Sequence, residues 1–205
     1  MQRPSSQREQ AQLLLARHGM LRLSELTSAG ITAATISRME RDGRIVRLRR
    51  GLYQLADAQI DAHHSFAEAA KRIPKGVICL TSALSYHELT DQLPRRIWVA
   101  IGKKDWVPLD ARPSLRIARF TESLLEDGVE THIIENVPVR IFNVPKTIAD
   151  CFRHRRSVGL TVAIEGLQQA IRQRKARPAE IADYARRGRV WTVIRPYLEA
   201  LTANG

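Results

Sequence analysis

The sequence predicts an α+β protein, and three observations predict it. Residues 1–56 read as three short helices followed by a two-stranded hairpin, the order of a winged helix-turn-helix. Residues 57–143 mix short apolar strands with helices, without regular β-α-β alternation, and residues 144–205 read as helices alone. Charge follows the same division. The chain of 205 residues carries a formal +12, which resolves into +6 over residues 1–56, −1 over 57–150 and +7 over 151–205. A charge needed only for solubility would be spread more evenly, so two basic surfaces flanking a neutral body are expected.

Gln7–His18 has Ala11, Leu14, Leu15 and His18 at helical spacing, with Gly19 as the stop. Met20–Leu23 is a short apolar link, and Ser24 is expected to cap a brief helix closing at Gly30. Thr32 caps a third helix ending at Gly43, with Ile36 and Met39 facing inward. Arg44–Arg49 alternates as a strand, Arg50-Gly51 turns, and Leu52–Leu55 returns, with Tyr53 in the hairpin core.

Burial of Ile36 and Met39 leaves Thr32, Ala34, Ser37, Arg38 and Arg41 on the other side of the third helix. Short residues near its start let a helix sit deep in a major groove, where arginine forks reach guanine edges or phosphates. Arg44, Arg47, Arg49 and Arg50 lie on or beside the wing and would meet phosphates or a minor groove. Six arginines fall within Arg38–Arg50. Thr32, Ser37, Arg38, Arg41, Arg44, Arg47, Arg49 and Arg50 are therefore the expected DNA-binding residues, and double-stranded operator DNA the expected partner.

In the body, Asp61–Ile73 is an amphipathic helix with Phe66, Ala69, Ala70 and Ile73 on its apolar side. Val77–Leu80 is a buried strand holding Cys79, after which Thr81 or Ser82 caps a helix. Strands follow at Ile97–Ile101 and Leu115–Phe120, around a Lys-Lys-Asp-Trp loop closed by Pro108 and Pro113. A hairpin joins Glu130–Glu135 to Val139–Phe142 across Asn136-Val137-Pro138, and the pairing is expected to be mostly antiparallel.

No Gly-x-Gly or Gly-Lys-Ser/Thr phosphate loop occurs. The candidate reactive groups are Ser82, His87, Glu88, His132, Lys146, Asp150, Cys151 and His154. They give no convincing triad and no acid, acid-x-Lys nuclease element. His87 and Glu88 point about 100° apart on one helix, a poor metal pair, and Asp150 with His154 is explained by a helical i,i+4 ion pair. No enzyme activity, cofactor or metal is expected. Two cysteines exclude a disulfide scaffold and a four-cysteine zinc site. No apolar run approaches the ~18 residues of a membrane span, so a cytoplasmic protein without a membrane partner is expected.

Asn143 and Pro145 start a helix running to about Arg156, followed by helices over Leu160–Arg174, from Pro178, and over Arg189–Thr202. Trp191 and Tyr197 are expected in the core. Arg153, Arg155, Arg156, Arg172, Arg174, Lys175, Arg177, Arg186, Arg187 and Arg189 cluster toward helix C-termini. They serve the helix dipoles or form a second anion-contacting surface, and the sequence does not separate these two.

The run from Gly30 to Leu55, with its helix, basic strand and Arg-Gly-x-Tyr, resembles the N-terminal domain of AbiEi-type antitoxins of bacterial toxin–antitoxin operons. Gly76–Leu89, with Ser-Ala-Leu-x-x-His, and Val137–Asp150 resemble the second domain of that family, although Lys146 stands where members often have Arg. The resemblance implies a transcriptional autoregulator of a type IV toxin–antitoxin system, with a DNA-binding domain over 1–56 and an antitoxin domain over 57–205, divided at 143/144. It also implies a nucleotidyltransferase-like cognate toxin, functionally linked without requiring a stable complex. The protein is then a monomer or weak dimer that cooperates on inverted repeats. The alternatives are a one-component regulator with an effector pocket in its body and, less favoured, a DNA-processing enzyme.

Overall fold

The computed structural model describes residues 6–92, 96–107 and 115–203. Pro108 and Pro113, expected to close the Lys-Lys-Asp-Trp loop, lie outside them. The α+β class is as expected, and the chain forms two compact units, one of residues 1–74 with 133–139 and one of 75–132 with 140–205.

The first unit opens with α1 (Gln7–His18), whose N-cap Ser6 accepts a hydrogen bond from the Glu9 amide at 3.3 Å. β1 (Met20–Arg22) follows, a strand where a link was expected. Its three residues are too few to show alternation, and only pairing with β3 (Leu52–Leu55), with Leu21 opposite Tyr53, makes it one. α2 (Leu23–Ser28) has Arg22 as its N-cap, two residues before the expected cap Ser24, because the Glu25 carboxylate turns back and accepts from the Arg22 amide at 2.6 Å. Thr32 caps α3 (Ala33–Arg41), and Ile36 and Met39 are each 1% exposed, as the spacing predicts.

β2 (Ile45–Arg49) pairs antiparallel with β3, giving a three-stranded sheet in the order β1-β3-β2 with a bulge between Arg47 and Arg49. Ala11, Leu15, Leu26, Ile31, Ile36, Met39, Ile45 and Tyr53 form one core. Three helices and a wing thus share a single apolar centre, the winged helix-turn-helix arrangement. α4 (His64–Arg72) starts later than Asp61 and buries Phe66, Ala67 and Ala69.

The second unit contains most of a five-stranded sheet in the order β6-β5-β4-β8-β7. Its strands are β4 (Val77–Ile78), β5 (Ile97–Gly102), β6 (Leu115–Phe120), β7 (Val129–Ile134) and β8 (Val137–Phe142). The expectation of mostly antiparallel pairing is corrected: β5 pairs parallel with β6, and β4 parallel with β8, while β4 and β5 are antiparallel. Parallel neighbours need crossovers rather than tight turns, and pairings of that range leave no local mark in a sequence. The β7–β8 turn is Glu135-Asn136, both at positive φ, which places Val137-Pro138 inside β8 rather than in the turn.

The helices are α5 (Leu80–Tyr86), α6 (Glu122–Leu125), α7 (Val144–Arg153), α8 (Arg155–Val158), α9 (Leu160–Arg172), α10 (Pro178–Arg187) and α11 (Trp191–Thr202). Asn143 caps α7 by accepting from the Lys146 amide at 3.0 Å. α7 is the central rod, with eight of its ten residues buried. Phe120, Phe142, Phe152, Leu84, Leu167, Ile181 and Ile194 belong to the surrounding core, with Trp191 and Tyr197 packed half-buried against it.

Candidate nucleic-acid interface

α3 presents two faces because its apolar residues are three apart. Ile36 and Met39 anchor it, and Thr32, Ala34, Ser37, Arg38 and Arg41 are exposed. Its start is held by Gln7 of α1, whose Oε1 accepts from the Thr35 hydroxyl at 2.8 Å and from the Thr32 amide at 3.2 Å. The recognition-type helix is therefore registered against α1 before any ligand arrives. No notice of Gln7 follows from the sequence pattern, because its partners lie 25 and 28 positions away.

Arg44, Arg47, Arg49 and Arg50 are exposed on or beside β2 and its turn. Among the described residues no ion pair or side-chain hydrogen bond involves Arg38, Arg41, Arg44 or Arg50. Arg47 makes one contact, its Nε donating to the Arg49 carbonyl at 3.3 Å. Arg49 differs, being ion-paired to Glu68 of α4 at 2.7 Å. All eight expected DNA-contacting residues thus lie on α3 and the wing or at their borders, and at least four guanidiniums are uncommitted.

The C-terminal basic residues are arranged differently. Lys175 reaches Glu88 at 3.1 Å, Arg177 reaches Glu180 at 2.6 Å, Arg186 reaches Asp183 at 2.8 Å and Arg187 reaches Asp127 at 3.1 Å. Arg172 donates to the Gln169 side chain and Arg155 to the Phe152 carbonyl, while Arg153 lies over the Phe120 ring. Arg156, Arg174 and Arg189 are exposed, with no such partner among the described residues. Most of this set is neutralised by neighbouring acids or spent on carbonyls and rings.

The candidate reactive groups do not converge on one site. Ser82 does not cap α5; its buried Oγ accepts from the Trp98 amide at 2.9 Å and ties the helix to β5. Cys79 is the N-cap residue of α5 rather than a strand residue, and burial pushes its thiol and that of Cys151 well above their ordinary value, so neither supplies a thiolate. His87 and Glu88 lie beyond the end of α5 rather than on it: His87 Nε2 donates to the Phe142 carbonyl at 2.7 Å, and Glu88 sits at positive φ. Burial holds His87 and His154 below the ordinary histidine value. His132 stands 3.3 Å from Glu130.

Asp150 pairs with Lys146, not with His154 as the i,i+4 spacing suggested. His154 is the C-cap of α7 and its amide, not its ring, bonds the Asp150 carbonyl. The Lys146–Asp150 pair is almost wholly enclosed, with Lys146 Nζ 4.4 Å from the Phe142 ring centre and 4.9 Å from that of Phe120. Burial pushes the Asp150 carboxyl up, against the pull of Lys146. Among the described residues no group of three or more His, Cys, Asp or Glu could hold a metal ion, and no helix is long and apolar enough to cross a membrane.

Residues 8–56 match the family model described as transcriptional regulator, AbiEi antitoxin. That span runs from α1 through the wing, so the match covers the winged helix-turn-helix alone. No curated protein matches the chain. Among solved structures, the RV2827C protein from Mycobacterium tuberculosis is similar over 99% of this chain and 83% of its own, with 14% identity and a TM-score of 0.60. That likeness is one of fold.

Proposed function

We propose that this protein is a DNA-binding antitoxin of a bacterial toxin–antitoxin operon that represses its own promoter. α3 enters the major groove of a double-stranded operator, with Arg38 and Arg41 toward base edges and Thr32 and Ser37 toward the backbone. Arg44, Arg47 and Arg50 follow the phosphates of the flanking groove. The observation that carries this reading is the concentration of exposed guanidiniums on α3 and the wing, where Arg38, Arg41, Arg44, Arg47 and Arg50 have no ion pair among the described residues. The family match over residues 8–56 supports the antitoxin role. Counteraction of a nucleotidyltransferase-like toxin belongs, in this reading, to residues 57–205.

The test is binding of the full chain to its own promoter fragment. Replacing both Arg38 and Arg41 with alanine should weaken specific binding by about 1–3 kcal/mol for each base-reading arginine and relax sequence preference. Retained affinity and preference in that variant would remove α3 from the recognition role.

A further inference from the structure

The Lys-Lys-Asp-Trp segment after β5 is used by nothing described so far, and its geometry is unusually determined. The Arg119 guanidinium, on β6, donates to three carbonyls of this turn: Gly102 at 3.0 Å, Lys103 at 2.8 Å and Asp105 at 3.1 Å. From the other side, Asp105 Oδ2 accepts from the Gly102 amide at 2.7 Å. A Cβ on residue 102 would stand 2.8 Å from that oxygen, so any larger residue there would displace the Asp105 carboxylate from this closure. The one acid of the segment is therefore turned inward onto backbone.

What remains outward is two ammoniums and an indole. Lys103 and Lys104 are exposed and have no acid partner among the described residues. Trp106 is 75% exposed, more than any other large apolar side chain among the described residues. The same turn borders a cavity of about 700 Å³ to which Lys75 and Arg140 also contribute. Of its carboxylates, Asp105 is committed as above and Glu126 is paired with Arg140 at 2.5 Å, while Glu122 is exposed at its lining.

We infer that the Lys103–Trp106 turn is a docking surface for single-stranded nucleic acid, with Trp106 stacking an unpaired base and Lys103 and Lys104 holding the adjoining phosphates. A flat aromatic face beside free cations is the pairing by which single strands are held without sequence readout. A duplex hides its base faces and would leave the indole unused. A protein partner would want apolar surface, whereas the exposed side chains of the turn itself, besides Trp106, are those of Lys103 and Lys104. The pinned backbone adds to the case, because a turn ordered beforehand loses little freedom on binding.

The experiment titrates the full chain with labelled single-stranded RNA and DNA oligomers of about a dozen nucleotides and, separately, with the operator duplex. Trp98 is 8% exposed and Trp191 half-buried, so acrylamide quenching of the free protein reports chiefly on Trp106. The bound oligomer should shield that fluorescence. Trp106→Ala should lower single-strand affinity about tenfold or more, with Trp106→Phe retaining most of it. Lys103→Glu with Lys104→Glu should lower the salt slope by roughly 0.7 per lysine, and duplex binding should change little in all three. Preference for RNA over DNA, or the reverse, identifies which strand is the natural one. Single-strand affinity unchanged in Trp106→Ala overturns the inference, as does loss of single-strand binding in the Arg38/Arg41 alanine variant, which would place the strand on α3. Association of Trp106 with a protein in a chain that binds neither oligomer overturns it too.

Discussion

Lys146 and Asp150 show what a single pair of residues does to this fold. Both side chains are all but removed from solvent within the core around α7, and an enclosed ion pair is worth little net while costing much to break. Lys146→Met strands a buried carboxylate and should destabilise the protein by about 3–5 kcal/mol in urea unfolding. Lys146→Met with Asp150→Leu should recover most of that loss. The pH dependence has a definite sign. Burial raises the folded carboxyl above its unfolded value, so its contribution is greatest at low pH and is lost as pH rises through the folded pKa. Removing the opposing ammonium raises that pKa further, so Lys146→Met should lose stability from acid to neutral pH more steeply than the parent. A flat profile would mean the carboxylate keeps other partners. Both residues stand out in the sequence as candidates, but not their union. Spacing offers Asp150 a neighbour four positions away on either side, and the choice of Lys146 depends on α7 ending at Arg153 and on which face the core covers.

At the scale of elements, length decides what can be read in advance. α1, α3 and α10 carry enough turns for apolar spacing, caps and stops to agree, and each lies within a residue or two of its expected bounds. β1 and β4 have three residues and two, too few for period-two alternation, and exist only through partners distant in sequence. The exposed face of α3, with Arg38 and Arg41, was legible because Ile36 and Met39 fix the rotation of the helix, whereas the tie of Arg49 to Glu68 required the fold. Gly19 offers a test of one such junction. It lies at φ +68, and a Cβ there would overlap the Glu135 carbonyl, whereas Gly43 lies at the same φ in open space. Gly43→Ala should therefore cost only the left-handed backbone penalty, about 1–2 kcal/mol, and Gly19→Ala clearly more. Equal losses in thermal or urea unfolding would show that Glu135 yields without cost.

Across the whole molecule, net charge is a poor guide to where anions would meet the chain. Of the eleven basic residues in 151–205, whose net charge is +7, five are ion-paired, Lys175 to Glu88, Arg177 to Glu180, Arg186 to Asp183, Arg187 to Asp127 and Arg195 to Glu199. Among the described residues of 1–56, whose net charge is +6, only two arginines are ion-paired, Arg8 to Asp42 and Arg49 to Glu68. Salt dependence of operator binding should report the difference: alanine at Arg47 or Arg50 should each lower the log–log slope by about 0.9. Alanine at Arg49, already paired with Glu68, should lower it less. A slope unchanged in all three variants would remove the wing from the interface.

The first unit is also discontinuous along the chain. Residues 133–139 belong to it, although 58 residues of the second unit, 75–132, come before them. Within that unit the Glu135 carboxylate meets His64 at 2.8 Å, and the Asn136 amide donates to the Ala16 carbonyl at 3.1 Å. No single cut of the polypeptide therefore separates the two units with each intact. A recombination event that transplanted residues 1–74 onto another protein would leave behind the seven residues that complete the unit, so this protein's two units are expected to be inherited together rather than exchanged as independent cassettes.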